Sequence, residues 1–210
     1  MNIGILGSGA VGQALAQGFL KHNYQVMIGT SNQQKFEEFK SVNKIKIGTF
    51  RETAQFGEIL ILAVKGLAAQ EVLTTVEKEI AHKIIIDATN PIADAPPKDG
   101  VLKFFTSLDD SLMERLQEAY PSTQFVKAFN SIGSAFMVNP LFAEKPTMFI
   151  CGNDTSAKES VSKILEQFGF EVADMGSVIA ARAIEPLCML WCIPGFLNNE
   201  WSHAFRLLKK

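Results

Sequence analysis

Three glycines with the spacing G-x-G-x-x-G constrain this chain more than any other feature. They lie in the run Gly7-Ser8-Gly9-Ala10-Val11-Gly12, directly after the short apolar segment Asn2–Leu6. Gly7 permits a tight turn off a strand, Gly9 lets the backbone approach a diphosphate, and Gly12 lets a helix pack against the strand. Free amide groups at the start of that helix attract phosphates. The run therefore predicts a strand, a pyrophosphate-binding turn and a helix.

Strand-like and helix-like segments alternate along the rest of the chain, which predicts an α/β fold with a Rossmann-type doubly wound parallel sheet. We expect residues 1–143 to form a dinucleotide-binding domain, and residues 144–210 to add a small strand-helix-strand and helical extension packed as one compact unit. The expected strands are Asn2–Leu6, Tyr24–Ile28, Lys44–Ile47, Glu58–Val64, Lys83–Asp87, Gln124–Ala128, Thr147–Cys151 and Glu171–Met175. The expected helices are Ala10–Lys21, a polar helix with Phe36 and Phe39, Arg51–Phe56, Leu67–Glu79, Leu108–Ala119, Ile132–Phe142, Ser156–Phe168 and Val178–Trp191. The proline-rich loop Asn90–Gly100 is long enough to be functional.

Composition limits the classes of binding partner and the cellular compartment that we expect for this chain. The 210 residues carry 20 basic and 22 acidic side chains, so nucleic acid is not expected as a partner. No basic segment precedes the first strand, which indicates a cytoplasmic protein. The apolar stretch Pro186–Pro194 is shorter than the roughly 20 residues of a spanning helix, so no membrane contact is expected. That stretch is better interpreted as a core helix or as the interface of a homodimer.

The cysteines and histidines do not predict a metal site. Cys151, Cys188 and Cys192 are interpreted as buried free thiols, and no histidine lies near them in the sequence. His22 and His82 fall at the amino-terminal edge of the expected sheet, and His203 lies close to the chain terminus. The chain therefore offers no obvious general acid or base.

Ligands of an open parallel sheet bind outside the carboxyl ends of its strands. Small and amide side chains collect there, with Lys65 as the charged residue at a central strand tip, where it could act as an acid or contact a phosphate. Asn90 and Asn130 could hydrogen-bond a carboxamide or a ring carbonyl. The expected site consists of Gly7, Ser8, Gly9, Ala10, Val11, Gly12, Thr30, Ser31, Asn32, Lys35, Ala63, Val64, Lys65, Asn90, Pro91 and Asn130.

The end of the second strand favours NADP over NAD. An NAD enzyme commonly places Asp or Glu there to bind the ribose hydroxyls. This chain has Thr30, Ser31 and Asn32 instead, so no carboxylate repels a 2′-phosphate. Hydroxyl groups, a helix start and Lys35 could hold that phosphate.

Several stretches resemble the NADPH-dependent coenzyme F420 reductases and their relatives, which include the cytosolic domain of STEAP metalloreductases. The likeness is carried by the glycine run, by Asp87-Ala88-Thr89-Asn90-Pro91, by Val126-Lys127-Ala128-Phe129-Asn130, by Asp174-Met175-Gly176 and by Ala180-Ala181-Arg182-Ala183-Ile184-Glu185-Pro186-Leu187. The resemblance implies that a nicotinamide lies near Ala63, Val64, Asn90 and Asn130. It also implies that hydride passes directly to a flat ring such as coenzyme F420 or a flavin. Catalysis would then be mainly positioning, by Asn90, Asn130 and Lys65.

One position departs from the family pattern. These reductases resemble one another in having Ser-Arg after the glycine of the second strand, whereas Thr30-Ser31 stands here and Lys35 is retained. The departure weakens the inference of NADP without reversing it.

Other functions remain open at the sequence level. A sensor or interaction protein that binds NAD(P) without catalysis would equally lack an acid or base. Pyrroline-carboxylate, ketopantoate and hydroxyacid reductases begin similarly but need a large helical substrate domain, for which too few residues remain after Phe142. A methyltransferase usually has an acid at the end of the second strand, where this chain has Thr30 or Ser31.

Overall fold

Strands and helices alternate along the chain as the sequence predicts. The computed structural model describes residues 1–32 and 45–210. The described strands are β1 (Asn2–Leu6), β2 (Gln25–Gly29), β3 (Lys46–Gly48), β4 (Ile59–Leu62), β5 (Ile84–Asp87), β6 (Gln124–Lys127), β7 (Thr147–Ile150) and β8 (Glu171–Asp174). The described helices are α1 (Ala10–Lys21), α2 (Phe50–Phe56), α3 (Gly66–Thr74), α4 (Glu77–Ile80), α5 (Leu112–Ala119), α6 (Thr155–Gln167) and α7 (Ala181–Asn198). The helix expected to carry Phe36 and Phe39, and Lys35 with it, lies outside the described residues.

The first six strands form one parallel sheet in the spatial order β3-β2-β1-β4-β5-β6. This is the strand order of doubly wound dinucleotide-binding folds, in which the ligand crevice opens where the order reverses between β1 and β4. All four residues of β4 are buried, because helices cover both faces of a central parallel strand. The predicted Rossmann-type fold is confirmed.

Each face of the sheet carries its own apolar core. On one face, Ile5, Ile61 and Ile86 belong to a cluster that includes residues of α1 and α6. On the other face, Leu60 and Ile85 belong to a cluster that includes residues of α3 and α5. Successive side chains of each strand therefore serve opposite cores, which leaves the strand ends as the place where polar groups collect.

The C-terminal region adds a second, two-stranded sheet. β7 and β8 pair in parallel across α6, so the predicted strand-helix-strand unit is confirmed. A bridge between Lys127 and Cys151 joins this unit to the edge of the main sheet. The chain terminus returns to β7, where the Thr147 amide donates to the Phe205 carbonyl at 2.9 Å. The domain boundary at residue 143 stays a prediction.

Several of the expected helices differ from the structure. The helix expected over Leu108–Ala119 begins only at Leu112. The apolar segment Ile132–Phe142 forms only a 3₁₀ turn at Ser134–Phe136, so the predicted helix is wrong. Asn139 has a left-handed φ of 48° just before Pro140, a combination that ends any helix. The helix expected over Leu67–Glu79 is divided into α3 and α4, because Val76 leaves the helical region with a φ of −129°.

The last helix, α7, is longer than the sequence suggests. The expected helix is Val178–Trp191, whereas α7 begins at Ala181 after a 3₁₀ turn and continues through Pro186 and Pro194 to Asn198. By length and composition alone the segment Val178–Asn198 could cross a membrane, although 39% of it is buried inside the protein. Ile184 and Trp191 lie on its buried side.

Candidate functional site

The glycine run forms the turn between β1 and α1. Gly7 has a φ of 126°, and a Cβ there would lie 2.3 Å from the Ala63 carbonyl oxygen. A Cβ on Gly12 would lie 2.1 Å from the Gly7 oxygen, so no other residue fits at either position. A Cβ on Gly9, in contrast, meets no atom within 4 Å. The turn is therefore closed on the protein side and open at Gly9, at the amino terminus of α1, where a phosphate would lie.

Hydroxyl groups join this turn to the end of β2. The Ser8 hydroxyl donates to Thr30 Oγ1 at 2.9 Å, and the Asn32 amide donates to the same oxygen at 3.1 Å. Thr30 is buried, whereas Ser31 and Asn32 are exposed. The structure thus gives Thr30 the role of holding two loops together and leaves Ser31 as the hydroxyl that a ligand can reach.

A cavity of about 380 Å³ opens at the carboxyl ends of β4 and β5. Its lining residues are Val64, Lys65, Gly66, Leu67, Ala88, Thr89, Asn90, Ile92, Ala93 and Asp94. A Cβ on Gly66 would lie 2.1 Å from the Asn90 carbonyl oxygen, so this glycine lets the start of α3 approach the loop after β5. Lys65 and Asp94 are the ionisable residues among those that line the cavity. Neither is held in a catalytic pair by any described contact.

The two predicted asparagines meet at this edge. Asn90 Nδ2 donates to the Asn130 carbonyl oxygen at 2.8 Å, and Asn130 Nδ2 donates to Asn90 Oδ1 at 3.2 Å. Asn130 Nδ2 also donates to the Ile184 carbonyl oxygen on α7 at 2.9 Å. We call Asn90 and Asn130 the amide pair. Asn130 Oδ1 is buried and accepts no hydrogen bond from the described residues.

A buried cluster of charged side chains lies next to the amide pair, and its members are not among the expected site residues. Lys127 Nζ lies 2.7 Å from Asp87 Oδ2 and 2.9 Å from Glu185 Oε1, and all three side chains are at most 1% exposed. The Glu185 carboxylate also accepts the amides of Leu112 and Met113, each at 3.0 Å, at the start of α5. We call Asp87, Lys127 and Glu185 the buried ion cluster.

Burial by itself would lower the pKa of Lys127, but the carboxylates of Asp87 and Glu185 outweigh it and raise the pKa. The lysine therefore stays charged at neutral pH and cannot act as a base. Burial also raises the pKa of the neighbouring Cys151 thiol to about 12, so this cysteine is an inert thiol rather than a nucleophile.

The structure brings most of the predicted site residues to one edge of the main sheet. The glycine run, Thr30, Ser31, Asn32, Ala63, Val64, Lys65 and the amide pair all follow the carboxyl ends of strands. Pro91 is buried, and its carbonyl oxygen accepts the Phe105 amide, which closes a small hairpin in the expected loop. Ile92, Ala93 and Asp94 line the cavity from the loop Asn90–Gly100, whose length predicts a function. Gly66, Leu67, Ala88 and Thr89 also line the cavity but are not among the expected site residues.

The three histidines do not line this cavity. His203 bonds the backbone of α7 at Trp191 through Nε2 at 2.9 Å, and His22 stacks on Phe168. Over residues 1–32 and 45–210, no group of three or more His, Cys, Asp or Glu side chains could hold a metal ion.

Comparison with known proteins gives a consistent set of relatives. A family model described as "NADP oxidoreductase coenzyme F420-dependent" matches residues 2–91. F420-dependent NADP reductase of Methanocaldococcus jannaschii is 27% identical over 206 residues, which cover 90% of each chain. A crystal structure from Arthrobacter sp. FB24, named for F420-dependent NADP reductase, superimposes with a TM-score of 0.93 at 26% identity over all of both chains.

A second group of relatives is longer than this chain. Metalloreductase STEAP3 of Rattus norvegicus is 30% identical over 201 residues, or 93% of this chain. The chain spans only 38% of the length of that relative. The similarity therefore concerns one part of the metalloreductase.

Proposed function

Since this chain belongs to the coenzyme F420-dependent NADP oxidoreductase family, we propose that it binds NADP and transfers a hydride between the nicotinamide and a flat acceptor. The acceptor is a small molecule such as coenzyme F420 or a flavin. NAD is the less favoured cofactor. The nicotinamide supplies the hydride chemistry, and the protein supplies binding and orientation.

The shape of the site supports this proposal. The open Gly9 position at the start of α1 suits a pyrophosphate, and Ser31 suits a 2′-phosphate because its neighbours in the chain, Thr30 and Asn32, are uncharged. The cavity of about 380 Å³ lies within the range of roughly 300–1,000 Å³ that is typical of small-molecule sites. The glycine loop and the cavity are next to each other, since Gly7 contacts Ala63 directly before Val64.

The observation that carries the proposal is the amide pair beside a cavity without a positioned acid or base. Asn90 lines the cavity and uses one Nδ2 hydrogen and one Oδ1 lone pair within the amide pair, so a donor and an acceptor remain for a ligand such as a carboxamide. Direct transfer of a hydride between two rings needs alignment of the rings and exclusion of water, which the walls of the cavity can provide.

The direct test is NADPH binding followed by an acceptor panel. We expect fluorescence titration to detect NADPH binding, and absorbance at 340 nm to fall when F420, FMN or riboflavin is added. Gly9→Ala is the matched variant, because a Cβ there meets no protein atom but would occupy the space of the diphosphate. We expect Gly9→Ala to keep the melting temperature and to weaken NADPH binding by about tenfold or more.

Two outcomes contradict the proposal. Absence of NADPH binding at near-millimolar cofactor would exclude the cofactor itself. Tight binding without oxidation by any acceptor would favour the sensor function that the sequence leaves open.

We also propose that the protein is a homodimer formed through the exposed apolar face of α7. Leu190 is 55% exposed and Leu197 is 58% exposed, seven residues apart on one side of the helix. The same side of α7 has no charged side chain between them. Exposed apolar stripes of this kind usually contact a partner. A cytoplasmic location remains a prediction from the sequence.

A further inference from the structure

The buried ion cluster and the amide pair are connected along the chain. Asp87 precedes Asn90 by three residues at the end of β5, and Lys127 precedes Asn130 by three residues at the end of β6. Asp87 and Lys127 are register partners in the sheet. Glu185 follows Ile184, whose carbonyl oxygen accepts Asn130 Nδ2. Each charged residue of the cluster therefore lies close in the chain to a residue that makes the hydrogen bonds of the amide pair.

The cluster fixes the backbone just before Asn90. Lys127 Nζ donates to the Thr89 carbonyl oxygen at 3.0 Å. Asp87 Oδ1 accepts both the Thr89 amide at 2.9 Å and the Thr89 hydroxyl at 2.6 Å. Three hydrogen bonds therefore hold the residue adjacent to Asn90, and all three involve Asp87 or Lys127.

The amide pair in turn has a single orientation. Both hydrogens of Asn130 Nδ2 are used, one for Asn90 Oδ1 and one for Ile184, so Asn130 Oδ1 must be the acceptor. Glu185 holds the Ile184 segment in place by binding two amides of α5. Movement of either strand end would break one of these bonds.

Stability alone does not account for such a cluster. Replacing a buried ion pair by apolar residues of similar volume is often neutral or stabilising, so a cluster of one cation and two anions points to a requirement for geometry. We propose that Asp87, Lys127 and Glu185 are positioning residues that hold the amide pair against the nicotinamide ring. This inference rests on the proposed function, since it needs NADP to bind at this edge.

Asp87→Asn is the appropriate perturbation. The substitution keeps the shape, but the new amide presents an N–H group either to Lys127 or to the Thr89 amide, so one of these contacts must be lost. It also leaves the neutral pair Lys127–Glu185, which limits the damage to folding. Glu185→Gln tests the cluster from its other carboxylate, so a failure of one variant to fold does not end the experiment.

The readout is the affinity for NADPH relative to 2′-phospho-ADP-ribose, which is the same molecule without its nicotinamide ring. We expect Asp87→Asn to lower this ratio by about three- to tenfold, which corresponds to the loss of about one hydrogen bond to the ring. Asn130→Ala should lower the ratio similarly, and the double variant should lower it no further, because Asp87 and Asn130 both act by fixing Asn90.

Lys83→Met is the control. Lys83 donates to the carbonyl oxygens of Ala54 and Gly57 at 2.6 and 2.8 Å, before β5 begins and at the opposite edge of the sheet. We expect it to lower the melting temperature without changing the affinity ratio. An unchanged ratio in both Asp87→Asn and Glu185→Gln, or additive effects with Asn130→Ala, would overturn the inference. Absence of NADPH binding to the unaltered protein would instead overturn the proposed function.

Discussion

Removing the positive charge of the buried ion cluster should cost most of the stability of the protein. In Lys127→Met, the carboxylates of Asp87 and Glu185 lose the ammonium group that lies 2.7 and 2.9 Å from them. Breaking a buried ion pair by removing one partner costs about 3–5 kcal/mol, because the remaining charge is left uncompensated. Here two charges are left.

Repulsion between the two carboxylates adds to this cost. Given their distances to Nζ, the two oxygens lie at most about 5.6 Å apart. At an effective dielectric constant of about 20, two like charges at that separation repel by about 3 kcal/mol or more. We therefore expect Lys127→Met to lose about 5 kcal/mol or more, which approaches the total stability of a domain at the low end of the usual range of about 5–15 kcal/mol.

Urea unfolding followed by fluorescence of Trp191 and Trp201 measures this loss. The variant Lys127→Met/Asp87→Asn/Glu185→Gln carries no charge in the cluster, and it should regain most of the stability. Lys83→Met should cost less, about 1–3 kcal/mol, because it leaves only two backbone carbonyl groups without a donor. If Lys127→Met is no less stable than Lys83→Met, or if the uncharged variant is no more stable than Lys127→Met, the buried charges do not set the stability of the protein.

Three further predictions concern the cofactor, the assembly and the thiols. Ser31→Asp should shift the preference from NADP toward NAD by about tenfold, because the new carboxylate repels a 2′-phosphate. Titration with both cofactors measures the ratio of their affinities. Equal effects on both affinities would show that Ser31 does not contact that phosphate. Light scattering at micromolar concentration should give twice the chain mass of 23.1 kDa. Leu190→Lys should give a monomer. The control Leu141→Lys, at a residue 97% exposed on a separate loop, should leave the dimer intact. Iodoacetamide at neutral pH should label Cys192 first, because a hydrogen bond with the Cys188 thiol lowers the pKa of Cys192, whereas burial keeps Cys151 unreactive. Mass spectrometry identifies the labelled cysteine, and alkylation of Cys151 first in the folded protein would contradict this prediction.

The sequence predicts the sheet well because its strands are apolar runs that end in glycine or in polar residues. The boundaries of β1 and α1 are those expected, since the glycine run defines both. The helix expected after β6 fails for a local reason. Its apolar composition suggests a helix, but Asn139 and Pro140 end it, and Trp191 packs 2.9 Å from where a Cβ on Gly133 would lie.

Part of the buried ion cluster has a signal in the sequence. Asp87 ends the run Ile84-Ile85-Ile86, and Lys127 ends Phe125-Val126, so each charge belongs to a strand that must be buried. A buried charge needs a partner, and two such charges at the ends of neighbouring strands are natural partners. Glu185 has no comparable signal, because it lies on a helix rather than in a buried strand, and its contact with Lys127 depends on how α7 packs against the sheet.

The position of Glu185 connects the C-terminal extension to the amide pair. The sequence assigns the cofactor site to residues 1–143 and treats the rest as an extension. However, Glu185 on α7 completes the charge balance around Lys127, accepts two amides of α5, and stands beside the carbonyl group that orients Asn130. Residues 1–143 thus hold the glycine run, the amide pair and the contacts of Asp87 and Lys127 to Thr89, whereas Ile184 and Glu185 contribute from α7. The last helix therefore borders the candidate site, and we expect a change in its packing to move the amide pair through Ile184 and Glu185.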